Sequence, residues 1–308
     1  MNYRTDQCRS PGFLADVNQY TNRMGLHPIQ VLNCIHDTYY EEDVGDMSGH
    51  TLATPPQLVQ LLNRHQSELH EDVSEMLWKF LGKMIHGGLA ATLPQGKDSE
   101  EHEIAYPRVE QRRYASVRPD VPGTVSTKAD VIAPIVNPAA PHPETFSREE
   151  YRDWYLNNAQ GGIHGWDVIN YKTTVAWSVG QDDVIEQWRQ DMEGEVYVLE
   201  QAGYKIKRAW IFAIIRDWQG FKVNDKKEYP PVPFFPIALR IGTTEQIAET
   251  AKRRWEGHWR ARTLPDAELP PCNQFQRWKK DRRCQSYCPV SAHCHQFRTQ
   301  IEPTLKGK

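Results

Sequence analysis

The sequence predicts an α/β fold, a mixed central sheet flanked by helices, followed by a cysteine-stapled C-terminal segment. Three observations carry that expectation. An apolar strand over 166–172, a long amphipathic helix over 182–201 and a buried-looking strand over 209–215 make a βαβ-like step in mid-chain. Strand-type alternation precedes it over 101–132. Four of the six cysteines, Cys272, Cys284, Cys288 and Cys294, crowd together near the end.

Taken in order, residues 1–53 read as a polar, irregular N-terminal extension with a short helical pattern at 29–40. Pro55 and Pro56 then open a helix carrying Leu58, Leu61 and Leu62 on one face. A second helix follows Asp72, with Val73, Met76, Leu77, Phe80, Leu81, Met84 and Ile85 at helical spacing; His86 closes the stripe and Gly87 and Gly88 end it. Strands are expected at 101–108, 113–117 and 124–132. A Pro-rich insertion over 134–165, with a short helix at 148–157, separates two neighbouring strands. After the 166–172 strand, the 182–201 helix stops at Gly203, where glycine supplies the left-handed turn that ends helices. The strand at 209–215, a Pro-rich stretch at 229–236, a strand at 237–241 and a helix at 244–261 complete a core spanning 54–262. The cysteine segment is 263–308.

The chain has 308 residues, 39% hydrophobic and 25% charged, the balance of a globular domain rather than a disordered one. It contains no apolar run long enough for a membrane span, and the N-terminus lacks the apolar centre of a secretory signal, so a cytoplasmic location is expected. A net charge of −3 argues against coating nucleic acid non-specifically. Any nucleic-acid contact must come from a local basic patch. Two clusters qualify: Lys252, Arg253, Arg254, Arg260 and Arg262, then Arg277, Lys279, Lys280, Arg282 and Arg283. Each taken singly reads as a solvated helix face. In a cytoplasmic chain, four crowded cysteines suggest metal before disulfide. Their gaps of eleven, three and five residues suit a tetrahedral zinc site or an iron–sulfur cluster.

Chemistry concentrates on the 166–172 strand, which delivers Asn170 and Lys172. A metal-dependent phosphodiesterase needs carboxylates on adjacent strand ends to hold Mg²⁺, and a lysine to orient or deprotonate the attacking water. His86 on a helix, Asp130 on a strand and Lys172 on the next strand appear in that order. Alone, His86 reads as the end of an apolar helix stripe and Asp130 as a turn residue.

Several further pieces share that order: Thr-Pro-Pro-Gln-Leu (54–58) with Asn-Arg-His (63–65), the 72–86 helix, Lys-Ala-Asp (128–130), Asn-Tyr-Lys-Thr-Thr (170–174), Ile-Ile-Arg-Asp-Trp (214–218) and Arg-Cys-Gln-Ser-Tyr-Cys-Pro-Val-Ser-Ala-His-Cys (283–294). Together they resemble the RecB-like branch of the PD-(D/E)XK nucleases, most closely phage-encoded exonucleases of that type. The resemblance implies a PD-(D/E)XK core, with His86 and Asp130 as metal ligands and Lys172 as the water-orienting base. It places an acidic ligand where this chain has Asn170, a neutral oxygen donor, so weak Mg²⁺ (or Mn²⁺) binding is expected. Asp167 cannot replace it, because an odd offset along a strand points to the other face. Glu103 on an earlier strand is a candidate replacement. On the following helix the resemblance implies a Gln four residues before a Tyr; with Tyr197 as the tyrosine that position is Glu193, a departure, and Gln190, one turn earlier on the same face, is taken with Tyr197 as lining the site. It also implies a [4Fe-4S] cluster at the late cysteines, with Cys34 or the nearer Cys272 as the fourth ligand. Cys272 is preferred, while His293 and His295 keep zinc open.

The function expected from the resemblance is a metal-dependent DNA exonuclease acting in phage recombination, replication or DNA breakdown, in the host cytoplasm. The alternative is a silenced nuclease fold, Asn170 being its ground, that binds DNA ends or a protein. DNA is the implied partner, with a second copy of the chain or a phage recombination or replication protein as further candidates.

Overall fold

The computed structural model describes residues 46–69, 77–91, 112–117, 123–135, 163–223 and 229–306, with Glu150, Trp154 and Asn157 besides. The expected helix at 29–40, the strand at 101–108 and most of the 134–165 insertion lie outside the described residues, as do Cys34 and Glu103.

Along the chain come β1 (Met47–Ser48), α1 (Gly49–Ala53), α2 (Pro56–Arg64), α3 (Leu77–Ala91), β2 (Arg113–Ser116), β3 (Thr124–Thr127), β4 (Val131–Ile135), β5 (Gly165–Thr174), α4 (Asp182–Gln201), β6 (Ile206–Ile215), β7 (Phe234–Leu239) and α5 (Thr244–Ala261). Short turns and one-turn helices continue through Lys306. The fold is α/β, with mixed sheets flanked by helices.

Two compact units form, one from Val44–Ala53 and Ile85–Arg254, the other from Thr54–Met84 and Trp255–Lys308. Expected boundaries at 53 and 262 divide the chain differently. β1 and α1 belong with the sheets, because α1 meets α4 backbone to backbone. A Cβ built on Gly194 would lie 2.3 Å from the Gly49 carbonyl oxygen, so only glycine fits there. In the other unit, Leu58 and Leu61 of α2 bury with Ala261, Leu269, Val290 and Cys294. That shared core draws α2 to the cysteine segment.

In the first unit, β1, β3 and β2 form a small sheet in that order. The larger sheet runs β4-β5-β6-β7, with β5 and β6 parallel and both outer pairs antiparallel. The parallel β5–α4–β6 crossover is the mid-chain step read from the sequence. Pro134 and Pro236 both fall on edge strands, where a missing N–H costs no ladder bond on the open side. Val168, Ile211, Ala213, Met192, Val196 and Leu199 are buried in this unit.

Four expectations shift. The segment 124–132 is two strands in different sheets, broken at 128–130, where the Asp130 carboxylate is engaged with other elements. β4 extends to Ile135, into the expected insertion. β7 occupies Phe234–Leu239 rather than 237–241, because an edge strand tolerates Pro236. α3 runs through Gly87 and Gly88 to Ala91; an interior glycine costs only about 1 kcal/mol, and Leu89 and the alanines that follow favour helix. By contrast α4 ends as expected, with Gly203 at φ 93° and the Tyr204 N–H donating to the Leu199 carbonyl at 3.1 Å.

Candidate active site

β4 and β5 pair antiparallel with Val131 opposite Ile169, which sets Asp130, just before β4, level with Asn170. Asp130 is held from two sides. Its Oδ2 accepts from the Tyr171 backbone N–H at 2.8 Å, and its Oδ1 lies 3.1 Å from His86 Nδ1 on α3. The Tyr171 and His86 rings meet edge to face, with centroids 5.9 Å apart. The structure therefore brings His86 and Asp130 together, with one imidazole nitrogen committed to the carboxylate.

Strand alternation sends Asn170 and Lys172 to one face of β5 and Asp167 to the other. Asp167 is spent there on Arg208, in a two-pronged pair at 2.6 and 2.7 Å. On the Asn170 face lies α4. The Asn170 Nδ2–H donates to Glu195 Oε1 at 3.0 Å. One turn earlier on the helix, Asp191 accepts from Gln187 at 2.9 Å and meets His50 Nδ1 of α1 at 3.2 Å. The Gly49–Gly194 contact is what brings His50 within reach.

The electrostatics are those of several acids crowded around one lysine. Burial pushes the Glu195 carboxyl up to about 8; the charges of Asp130 and Asp191 add to this, while Lys172 and the Asn170 hydrogen bond oppose it. Glu195 keeps some exposed surface as a residue, but its Oε2 has none. Burial also pushes Asp191 up, yet His50, Lys172 and Gln187 together outweigh it and leave the carboxyl below its ordinary value. Two buried oxygens in this cluster, Asn170 Oδ1 and Glu195 Oε2, have no hydrogen-bond partner among the described residues. Buried polar oxygens are expensive to leave so. Hard oxygen donors with unsatisfied lone pairs fit a Mg²⁺-type ion. Asp130, Asp191 and Glu195 do not, however, draw in as tightly as a closed cage: among the described residues only His65, Glu68 and His293 bring three acidic, imidazole or thiol donors within 4.8 Å of one another.

The helix partners differ from those expected. Gln190 donates to Glu186 at 2.7 Å, and its backbone carbonyl accepts from Arg254 at 3.3 Å. The Tyr197 hydroxyl donates to the Ser116 carbonyl at 3.2 Å. Both residues serve the other side of α4, a turn of about 100° per residue away from Asp191 and Glu195. Gln187, Asp191 and Glu195, whose contacts are those just described, recur every four residues beside an apolar stripe, a pattern visible in the sequence. His50 left no such signal.

Of the basic clusters, Arg254 is turned inward, where burial lowers its pKa against the pull of Glu193 and Asp191. In the other unit, Arg282 and Arg283 lie over the Trp278 ring at 5.4 and 5.6 Å, and Arg277 pairs with Asp281.

The four late cysteines come together in that unit as free thiols. Burial, and then the neighbouring thiols, push Cys272 up to about 12 and Cys284 up to about 11; burial raises Cys288 as well. Buried Gln296 clips Cys272 at both its N–H and its carbonyl, at 2.9 and 3.0 Å.

No protein-family model matches the chain, and no curated protein matches its sequence. A solved structure titled "Crystal structure of SSO0001" is similar over 87% of this chain and 94% of its own, with 12% identity and a TM-score of 0.45.

Proposed function

We propose that the protein is a divalent-metal-dependent DNA nuclease, acting as an exonuclease, with Asp130, Asn170 and Glu195 holding the ion. The supporting observation is the pair of unpartnered buried oxygens, Asn170 Oδ1 and Glu195 Oε2, on the face of β5 that also carries Lys172. Bound there, Mg²⁺ or Mn²⁺ would supply positive charge to the phosphate and acidity to its water. His86 steadies Asp130, whose other oxygen the Tyr171 N–H fixes. Lys172, whose charge already reaches Asp191 and Glu195, orients the attacking water and offsets negative charge developing on the phosphoryl oxygens. Attack on phosphorus expels the 3′-oxygen and leaves a 5′-phosphate.

The late cysteines belong to the same reading as ligands of a [4Fe-4S] cluster. Zinc–sulfur bonds of about 2.3 Å would gather four thiolates to about 3.8 Å apart. Metal binding would deprotonate the thiols that burial keeps protonated.

Linear and circular DNA incubated with the protein and Mg²⁺ or Mn²⁺ test the reading. Degradation of the linear form is expected, and faster degradation by Asn170→Asp. Asn170 also favours a second reading, a nuclease fold that binds DNA without cutting it. Salt-sensitive binding with no cleavage by wild type, and robust cleavage by Asn170→Asp, would decide for the second.

A further inference from the structure

Outside both of those sites, a third cluster joins the end of α2 to the cysteine segment. His65 follows α2, its N–H closing on the Leu61 carbonyl at 3.0 Å, and Glu68 sits in the next turn. His293 ends the turn Ser291–His293, between buried Val290 and Cys294. Because Leu58, Leu61, Val290 and Cys294 share one core, the two histidines are brought face to face, their rings stacked at 3.9 Å and 17°.

The hydrogen bonds around His65 pose a question of proton count. Its Nε2 lies 2.8 Å from Asp266 Oδ2, and its Nδ1 lies 2.8 Å from Glu68 Oε1. Asp266 is itself fixed by Arg64 at 2.7 Å. A neutral imidazole has one N–H, and Asp266 claims it at Nε2. Nδ1 then faces the Glu68 carboxylate at 2.8 Å, a place filled either by a second proton or by a metal ion shared with Glu68. His293 Nδ1 approaches the same carboxylate, 4.0 Å from Glu68 Oε2. Two imidazole nitrogens and a carboxylate oxygen thus lie within 4.8 Å of one another.

We infer that His65, Glu68 and His293 form a binding site for a transition-metal ion of the zinc class. Two imidazoles and one carboxylate are a zinc ligand set, and imidazole disfavours Mg²⁺ and Ca²⁺. Asp266 plays the supporting part seen behind metal-bound histidines, accepting the far N–H and so aiming the near nitrogen. Tetrahedral ligands on zinc stand about 3.3 Å apart, so the donors must draw in and the two stacked rings must tilt open until both lone pairs converge on one ion. Glu68 is 57% exposed, which leaves room for water as a fourth ligand. The ion would tie the turn after α2 to the turn that presents Cys294.

The test uses the full chain with its cysteine centre loaded, dialysed against Zn²⁺ and in parallel against Co²⁺. Wild type is expected to retain one more equivalent of zinc than Glu68→Gln or His293→Asn. His164→Asn, altering an exposed histidine that belongs to none of these sites, should match wild type. Asp266→Asn should weaken the affinity roughly 10- to 100-fold. Cobalt at this site should show visible bands without the intense near-ultraviolet absorption of thiolate ligation. Equal zinc content and affinity in wild type, Glu68→Gln and His293→Asn would overturn the inference and leave a protonated His65 between two carboxylates. Cobalt spectra showing thiolate ligation alone would do the same. The readout is metal content, so its failure leaves the nuclease reading standing.

Discussion

Asn170 donates its side-chain amide to Glu195 at 3.0 Å, and the other oxygen of each group, both buried, has no hydrogen-bond partner among the described residues. The residue standing where an acid is expected thus binds the one carboxylate in the cluster that burial holds at about 8. An aspartate there would lose the donor and add a charge. Several consequences can be measured.

Asn170→Asp should couple stability to metal. Above pH 8, with metal removed, two ionised carboxylates would face each other in a buried place, and the variant should be roughly 1–3 kcal/mol less stable than wild type. Millimolar Mg²⁺ should restore it, because an ion that binds only the folded state stabilises that state. Thermal melts of both proteins in chelator and in Mg²⁺ check this.

Glu195 should give the metal-free protein a falling stability with rising pH. Its folded carboxyl keeps its proton up to about 8, whereas the unfolded chain releases it near 4.5. Between those values the folded state binds the extra proton. Raising the pH therefore favours unfolding, by up to about 1.4 kcal/mol per unit. Above about pH 8 the slope vanishes. Glu195→Gln should remove this component, so the difference between the two urea-unfolding profiles isolates it.

Lys172→Ala should lower cleavage roughly 10²- to 10⁴-fold while DNA binding changes little, the pattern of a group that acts on the reacting water. Removing its charge should also raise the carboxyls of Asp191 and Glu195, which Lys172 now pulls down. The pH dependence of any residual activity would register that shift.

Gly194→Ala should destabilise the protein by about 1–3 kcal/mol although alanine is the better helix former, because its methyl would run into the Gly49 carbonyl at 2.3 Å. Denaturant unfolding measures it. Separation of α1 from α4 should also release His50 from Asp191.

Freshly purified protein should be brown, with broad visible absorption lost on Cys288→Ser. A colourless protein carrying one zinc per chain at the cysteines would reverse the assignment of the cluster.

Much of the fold was legible because its signals are local. α4 and α5 match their expected spans of 182–201 and 244–261, since amphipathic spacing, two acids at the start of α4 and Gly203 at its end act over a few residues. The opposite faces of Asp167 and Asn170 followed from strand alternation alone. Gly194 was a clue left unread: a glycine in mid-helix costs stability unless something must come close.

The sequence by itself determined the mid-chain βαβ step, the shared face of Asn170 and Lys172, and the gathering of four cysteines into one short segment, because periodicity and spacing are properties of neighbours along the chain. Only the tertiary structure decided that Asp191 and Glu195, rather than Gln190 and Tyr197, meet the β5 face. It alone brought His50 to Asp191 and stacked His65 on His293. A helix periodicity says which residues share a face, but the rotation of that face toward a sheet is set by packing. In α4 that packing includes a glycine contact with a segment more than 140 residues earlier in the chain.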